Sequence, residues 1–158
     1  MMEMIAVDSM IWIYNCDVHA PEHENVLLWL QGENKGGGVI EREQLLVNTV
    51  IVMEVIHNLR RKARLPPTPV YDYALKIVTL KNMTVAPLDR ELLHLSMHAF
   101  ERYYDYGIGG RDATILAAMI KWKAETIATH DENMLKITDF RRVDPTHRPP
   151  RTLEKGES

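Results

Sequence analysis

Cysteine is nearly missing from this chain. The only one in 158 residues is Cys16, so no intrachain disulfide can form and no cysteine-based zinc site can be built. Long apolar runs are missing too: none approaches the roughly 20 residues needed to cross a bilayer. The opening MMEMIAVDSM carries an acid and no basic stretch ahead of an apolar one, so it does not read as a signal peptide. Nor is there an excess of positive charge: the formal net charge is -3, and overall charge gives no support for nucleic-acid binding. These absences together point to a cytoplasmic protein with no membrane partner.

What is present is ordinary for a soluble globular protein, with 46% hydrophobic and 26% charged residues. The length fits one domain with a full core. Basic residues do gather locally. Arg60, Arg61, Lys62 and Arg64 sit close together, and Arg141, Arg142, Arg148 and Arg151 lie near the C-terminus. Taken alone, such clusters are solvated surface.

Hydrophobic patterning alternates between strands and helices. MIAVDS reads as a buried strand and MIWIYN as the start of a helix. PEHENVLLWLQG reads as a second helix ending at Gly32, and ENKGGG as a loop. LLVNT is a strand, and Asn48 or Thr49 caps a helix running to about Arg64. LPPTP is a break, VYDYALKIVTLKN a helix and MTVAP a strand. Asp89 caps RELLHLSMHAFERYY, YGIGG is a turn, and RDATILAAMIKWKA is an apolar, central helix. ETIATH is a strand, DENMLKIT a short helix and FRRVD a last strand. The expectation is a single domain over residues 1–145, followed by a disordered tail over 146–158. Strand–helix alternation argues for a parallel sheet covered on both faces.

In such sheets ligands bind beyond the carboxyl ends of the strands. Asp8 and Asp131 follow strands, Glu54 lies one turn into the helix after a strand, and Asp112 lies in the first turn of a helix. If the sheet order brings them together, they form one carboxylate cluster. Mutual repulsion then raises their pKa values unless cations join them. Carboxylates and water suit Mg²⁺ or Mn²⁺, and metal held in this way serves phosphoryl displacement. Each acid also has a local alternative. Asp8 can cap the helix beginning near Ser9, Asp112 can favour a helix N-terminus, and Asp131 sits inside the capping box Thr129-x-x-Glu132. Glu54, behind the apolar run Val50–Met53, needs a positive partner or a place on a polar stripe, bonded to Asn58.

Four segments in this order resemble a PIN domain, a nuclease family that includes toxins of toxin–antitoxin pairs. They are IAVDSMIWIY, TVIVMEVIHNLRR, GIGGRDATILAAM and ETIATHDENML, and the resemblance spans residues 4 to 143. It implies an α/β fold, a three-layer α/β/α sandwich with a central parallel sheet. It also implies Mg²⁺- or Mn²⁺-dependent cleavage of RNA, usually single-stranded, leaving a 5′-phosphate and a 3′-hydroxyl. Asp8, Glu54, Asp112 and Asp131 match the family's acidic positions as metal ligands and catalytic residues. Ser9 and Thr129 match the small hydroxyl positions beside two of them. Met10 stands where many members have Asn. Arg60, Arg61, Lys62 and Arg64 are candidates for tracking the RNA backbone, and Arg111 for a phosphate contact. A cognate antitoxin and a homodimer are the partners implied; the apolar face of VYDYALKIVTL is either a surface for the second copy or an ordinary core face.

Other readings are weaker. His94 and His98 have zinc-compatible spacing but no third ligand. GIGG lacks the Gly-Lys-Ser/Thr of a nucleotide loop. A receiver domain needs a Lys after the last strand, and a haloacid-type phosphatase needs Asp where Met10 stands. The remaining alternative is an inactive PIN-like domain acting as an RNA-binding or assembly module. Retention of all four acids argues against it.

Overall fold

The computed structural model of the chain describes residues 2–158, with Lys35 described by its backbone alone. Five short segments form parallel strands: β1 (Met4–Val7), β2 (Gln44–Asn48), β3 (Met83–Ala86), β4 (Thr126–Ala128) and β5 (Arg141–Asp144). A sixth strand, β6 (Arg151–Leu153), pairs antiparallel with β5. The order across the sheet is β3-β2-β1-β4-β5-β6. Ile5, Ala6 and Val7 of β1 and Leu45, Leu46 and Val47 of β2 are all buried. Successive strand residues point to opposite faces, so an unbroken buried run requires both faces to be covered.

The covering helices are α1 (Ser9–Cys16), α2 (His23–Gln31), α3 (Val39–Arg42), α4 (Thr49–Arg61), α5 (Pro67–Val78), α6 (Arg90–Tyr103), α7 (Gly110–Trp122) and α8 (Glu132–Leu135). The helices α1, α2, α4 and α5 pack in succession, and α6 packs along α7. The chain steps one way along the sheet through β1, β2 and β3, then returns to β4 and steps the other way to β5. Right-handed crossovers therefore place α1–α5 on one face and α6–α8 on the other. The expected three-layer α/β/α sandwich is observed, with a mixed sheet because β6 runs against the rest. The direction of winding reverses between β1 and β4. In open α/β sheets the ligand crevice forms at such a point, outside the carboxyl ends of the strands.

Local chemistry fixes the helix starts around this crevice. Asn48 caps α4 by accepting from the Ile51 amide at 2.8 Å, and its amide donates to Thr114 Oγ on α7 at 2.9 Å. One fully buried side chain thus ties the start of α4 to α7. Ile51, Val55 and Leu59 recur every four residues and bury one side of α4. Beside this buried stripe run Glu54, Asn58 and Lys62. Asp89 caps α6 through the Leu92 amide at 2.8 Å, as its sequence suggests.

Two sequence expectations differ from the structure, and a choice left open in a third is decided by it. The break read at LPPTP lies partly inside α5, which begins at Pro67. Proline suits a first helical turn, where its missing N–H has no partner to lose. The apolar side of α5, left open above between a surface for a second copy and a core face, is a core face: Val70, Ala74 and Ile77 are buried. The residues after 145, expected to be disordered, carry β6. Arg142, fully buried, organises this tail. Its guanidinium donates to the carbonyls of Leu135 at 2.8 Å and Glu154 at 2.7 Å, and also to that of Glu157. Backbone carbonyls around one buried cation, rather than apolar side chains, hold the segment, so hydrophobic patterning carries no trace of it.

Candidate active site

Three helix N-termini meet the carboxyl end of the sheet at the β1/β4 switch point. Asp8 directly follows β1 and caps α1, its Oδ1 accepting from the Ser9 amide at 2.7 Å. Its own amide donates to Ala128 O at 2.9 Å, continuing the β1–β4 ladder. Its Oδ2 accepts from Thr129 Oγ at 2.8 Å, just past the end of β4. Thr129 Oγ in turn accepts from the Asp131 amide at 3.1 Å. Asp131 caps α8 through the Asn133 and Met134 amides at 2.8 and 3.4 Å. Asp112, in the first turn of α7, accepts from the Gly109 amide at 3.2 Å. Asp8 and Asp112 fill the local roles open in the sequence, while Asp131 caps α8 itself in place of the Thr129-x-x-Glu132 box, and these caps deliver the three aspartates to one place. These caps use Oδ2 of Asp112 and Oδ1 of Asp131 and leave the other oxygen of each for a ligand.

Glu54 arrives from α4. Its Oε2 accepts from Ser9 Oγ at 2.9 Å, and its Oε1 lies 3.5 Å from Arg111 Nε. Its positive partner is therefore Arg111. Asn58 donates instead to the Glu54 backbone carbonyl at 2.9 Å. All four acids line one open cleft of about 680 Å³, together with Ser9, Met10, Asn58, Lys62, Arg111 and His130. Met10 puts a thioether on that wall where the family pattern often has an amide. Among the described residues, no three His, Cys, Asp or Glu side chains stand in ready ligand geometry.

The electrostatics record the crowding. Burial pushes the Asp8 carboxyl up to about 6, and Asp112 and Glu54 add to it, against the Thr129 and Ser9 hydrogen bonds. Burial also raises Asp112, with Asp131 and Glu54 contributing, against Gly109 and Arg111. Burial is the main cause of both shifts and the neighbouring carboxylates add a smaller share; a cation would offset both. The donors are all hard carboxylate oxygens, which fits Mg²⁺ or Mn²⁺.

The basic residues named from sequence divide. Arg111 and Lys62 line the cleft. Arg60 is turned away, donating to the Leu65 carbonyl, and Arg61 is exposed at the end of α4 outside the cleft lining. His94 and His98 are exposed on α6, away from the acids. Sequence reasoning passed over His130. Its Nδ1 lies 2.9 Å from Oδ2 of the fully buried Asp144, which also accepts from Thr146 Oγ at 2.7 Å. The signal existed: Asp144 ends β5, much as Asp8 directly follows β1.

Comparison with known proteins bears on this geometry. A model of the PIN domain matches residues 5–140. Among solved structures, Mycobacterium tuberculosis VapC20, described as a sarcin-ricin loop cleaving toxin, is similar at 17% identity and TM-score 0.63, over 83% of this chain and 93% of that one. FitAcB from Neisseria gonorrhoeae matches at 18% identity and TM-score 0.60, over 91% and 99%. VapBC2 from Rickettsia felis, bound to a DNA fragment from their promoter, matches at 12% and 0.59, over 88% and 96%. At these identities the likeness is one of fold. Comparison with curated protein sequences gives no match. The family match covers most of the chain and contains all four acids, and the chain belongs to the PIN domain family.

Proposed function

We propose that this PIN domain is a metal-dependent endoribonuclease hydrolysing phosphodiester bonds of single-stranded RNA, with Mg²⁺ or Mn²⁺ as cofactor. The observation that carries the reading is the convergence of Asp8, Glu54, Asp112 and Asp131 on one cleft at the switch point of the sheet. Burial, with Asp112 and Glu54 adding to it, raises the Asp8 carboxyl to about 6, and a perturbed carboxyl in a cleft fits a functional site.

Asp8, Asp112 and Asp131 would hold the ion. A bound divalent cation supplies charge neutralisation at the scissile phosphate and lowers the pKa of a coordinated water. Glu54, anchored through Ser9 Oγ, would bind the ion through water or help orient the attacking water. Ser9 and Thr129 fix the rotamer of Asp8 and keep it from swinging toward its neighbours. Arg111 and Lys62 line the cleft and would neutralise substrate phosphates. Arg60 and Arg61, further along α4, would extend that charge along the RNA backbone. The products would be a 5′-phosphate and a 3′-hydroxyl.

The toxin described for VapC20 supports a toxin role here, with a cognate antitoxin as partner, a homodimer as the assembly and the cytoplasm as the compartment. No helix among the described residues is long and apolar enough to cross a membrane. The test is incubation of the purified chain with end-labelled single-stranded RNA, with Mn²⁺ or with chelator, beside Asp8→Asn. Cleavage with Mn²⁺ alone, lost in the variant, is expected. Cleavage that survives both chelator and Asp8→Asn would remove the metal mechanism, and RNA binding without cleavage would favour a scaffold.

A further inference from the structure

The two oxygens of Glu54 have unlike partners. Ser9 Oγ donates to one at 2.9 Å, and Arg111 Nε faces the other at 3.5 Å. The Glu54 side chain is 20% exposed and that of Arg111 is 72% exposed. The carboxylate is thus the anchored member of the pair, and the guanidinium is the one free to move. Arg111 precedes Asp112 in the first turn of α7, so a swing of its long side chain stays at the rim of the cleft. Its positive charge lies where four carboxylates most need one. A guanidinium and a divalent cation at the same oxygen oppose each other, because the two positive charges repel across a few ångströms.

We infer that Arg111 is a built-in competitor for the divalent cation at Glu54, released onto a substrate phosphate when the cation binds. The inference rests on reading the cleft as a cation site. It goes beyond that reading by making one side chain couple cation and RNA. A freed guanidinium presents a planar fork of donors suited to phosphate oxygens. The cation therefore raises affinity for RNA, and by reciprocity RNA raises affinity for the cation. Lys62 provides the contrast: it lines the same cleft but makes no ion pair among the described residues.

The experiment is Mn²⁺ binding to the full chain, read from the paramagnetic resonance signal of free Mn²⁺, so that activity plays no part. Wild type is compared with Arg111→Met, Lys62→Met, Glu54→Gln and the Arg111→Met/Glu54→Gln double variant. The exposure of Arg111 makes misfolding of its variant a minor concern. Arg111→Met is expected to bind Mn²⁺ about two- to five-fold more tightly, the range for an exposed ion pair. Lys62→Met should tighten binding less, and in the Glu54→Gln background the Arg111 substitution should change nothing. Unchanged or weaker binding by Arg111→Met overturns the inference while leaving the cation site intact. So does equal tightening by Lys62→Met, which would mark a general charge effect, or an Arg111 effect that persists without Glu54. Failure of wild type to bind Mn²⁺ overturns the cation site and this inference together.

Discussion

Asp8→Asn is expected to stabilise the protein near neutral pH in the presence of chelator. Burial holds the Asp8 carboxyl at about 6, up from 3.8. A carboxyl raised on folding binds its proton more tightly in the folded state, so folding is penalised once both states are ionised. The penalty is absent below about pH 4, grows between pH 4 and 6, and is complete by pH 7. A rise from 3.8 to about 6, at 1.36 kcal/mol per pKa unit, makes it about 3 kcal/mol. Asparagine keeps the acceptor for the Ser9 amide and removes the charge. It leaves the Thr129 hydroxyl proton, now 2.8 Å from Asp8 Oδ2, in search of another acceptor, a cost of about 1 kcal/mol. The net gain is about 2 kcal/mol, or about 4–8 °C in melting temperature for a chain of this size. Circular dichroism melts in chelator at pH 4, 5, 6 and 7 would measure it. The gain should appear at pH 7 and fade toward pH 4. A variant less stable than wild type at pH 7, or a difference independent of pH, would refute the reasoning.

Other perturbations act on single contacts. Millimolar Mn²⁺ should raise the melting temperature, because ligands that bind only the folded state stabilise it, and Asp112→Asn should remove most of that shift in differential scanning fluorimetry. Thr129→Val should lower stability by about 1–3 kcal/mol in urea titrations, since the buried hydroxyl serves both Asp8 and the Asp131 amide. Arg142→Met should cost about 3 kcal/mol by orphaning buried carbonyls, with the largest rise in amide exchange at Arg151–Leu153.

The acids were legible because strand ends and helix starts are local features. IAV followed by Asp8, or TIATH followed by Asp131, announces a side chain at the carboxyl edge of a sheet. That edge converges only at a switch point, and the strand order that creates it depends on pairing between distant segments. The capping of α6 by Asp89 and of α4 by Asn48 was equally local. The rest arises from side chains meeting across the fold. Nothing near Glu54 in sequence marks Arg111 as its partner, 57 positions ahead by the difference of their residue numbers. The tail was misread because a buried Arg142 holds it by backbone carbonyls, and a basic residue in a polar stretch reads as surface. Asp144 was readable by the same strand-end logic and was missed because its partner, His130, lies across the β4/β5 edge.

The most direct measurement is a diffraction map from crystals grown with Mn²⁺, computed from the anomalous signal of the metal. A peak within ligand distance of Asp8, Asp112 and Asp131 is predicted, with Glu54 turned from Arg111 toward the ion or its water. A saturating soak that leaves the cleft without a peak, or places the ion on another surface, would contradict the claim that these carboxylates are arranged to hold a cation.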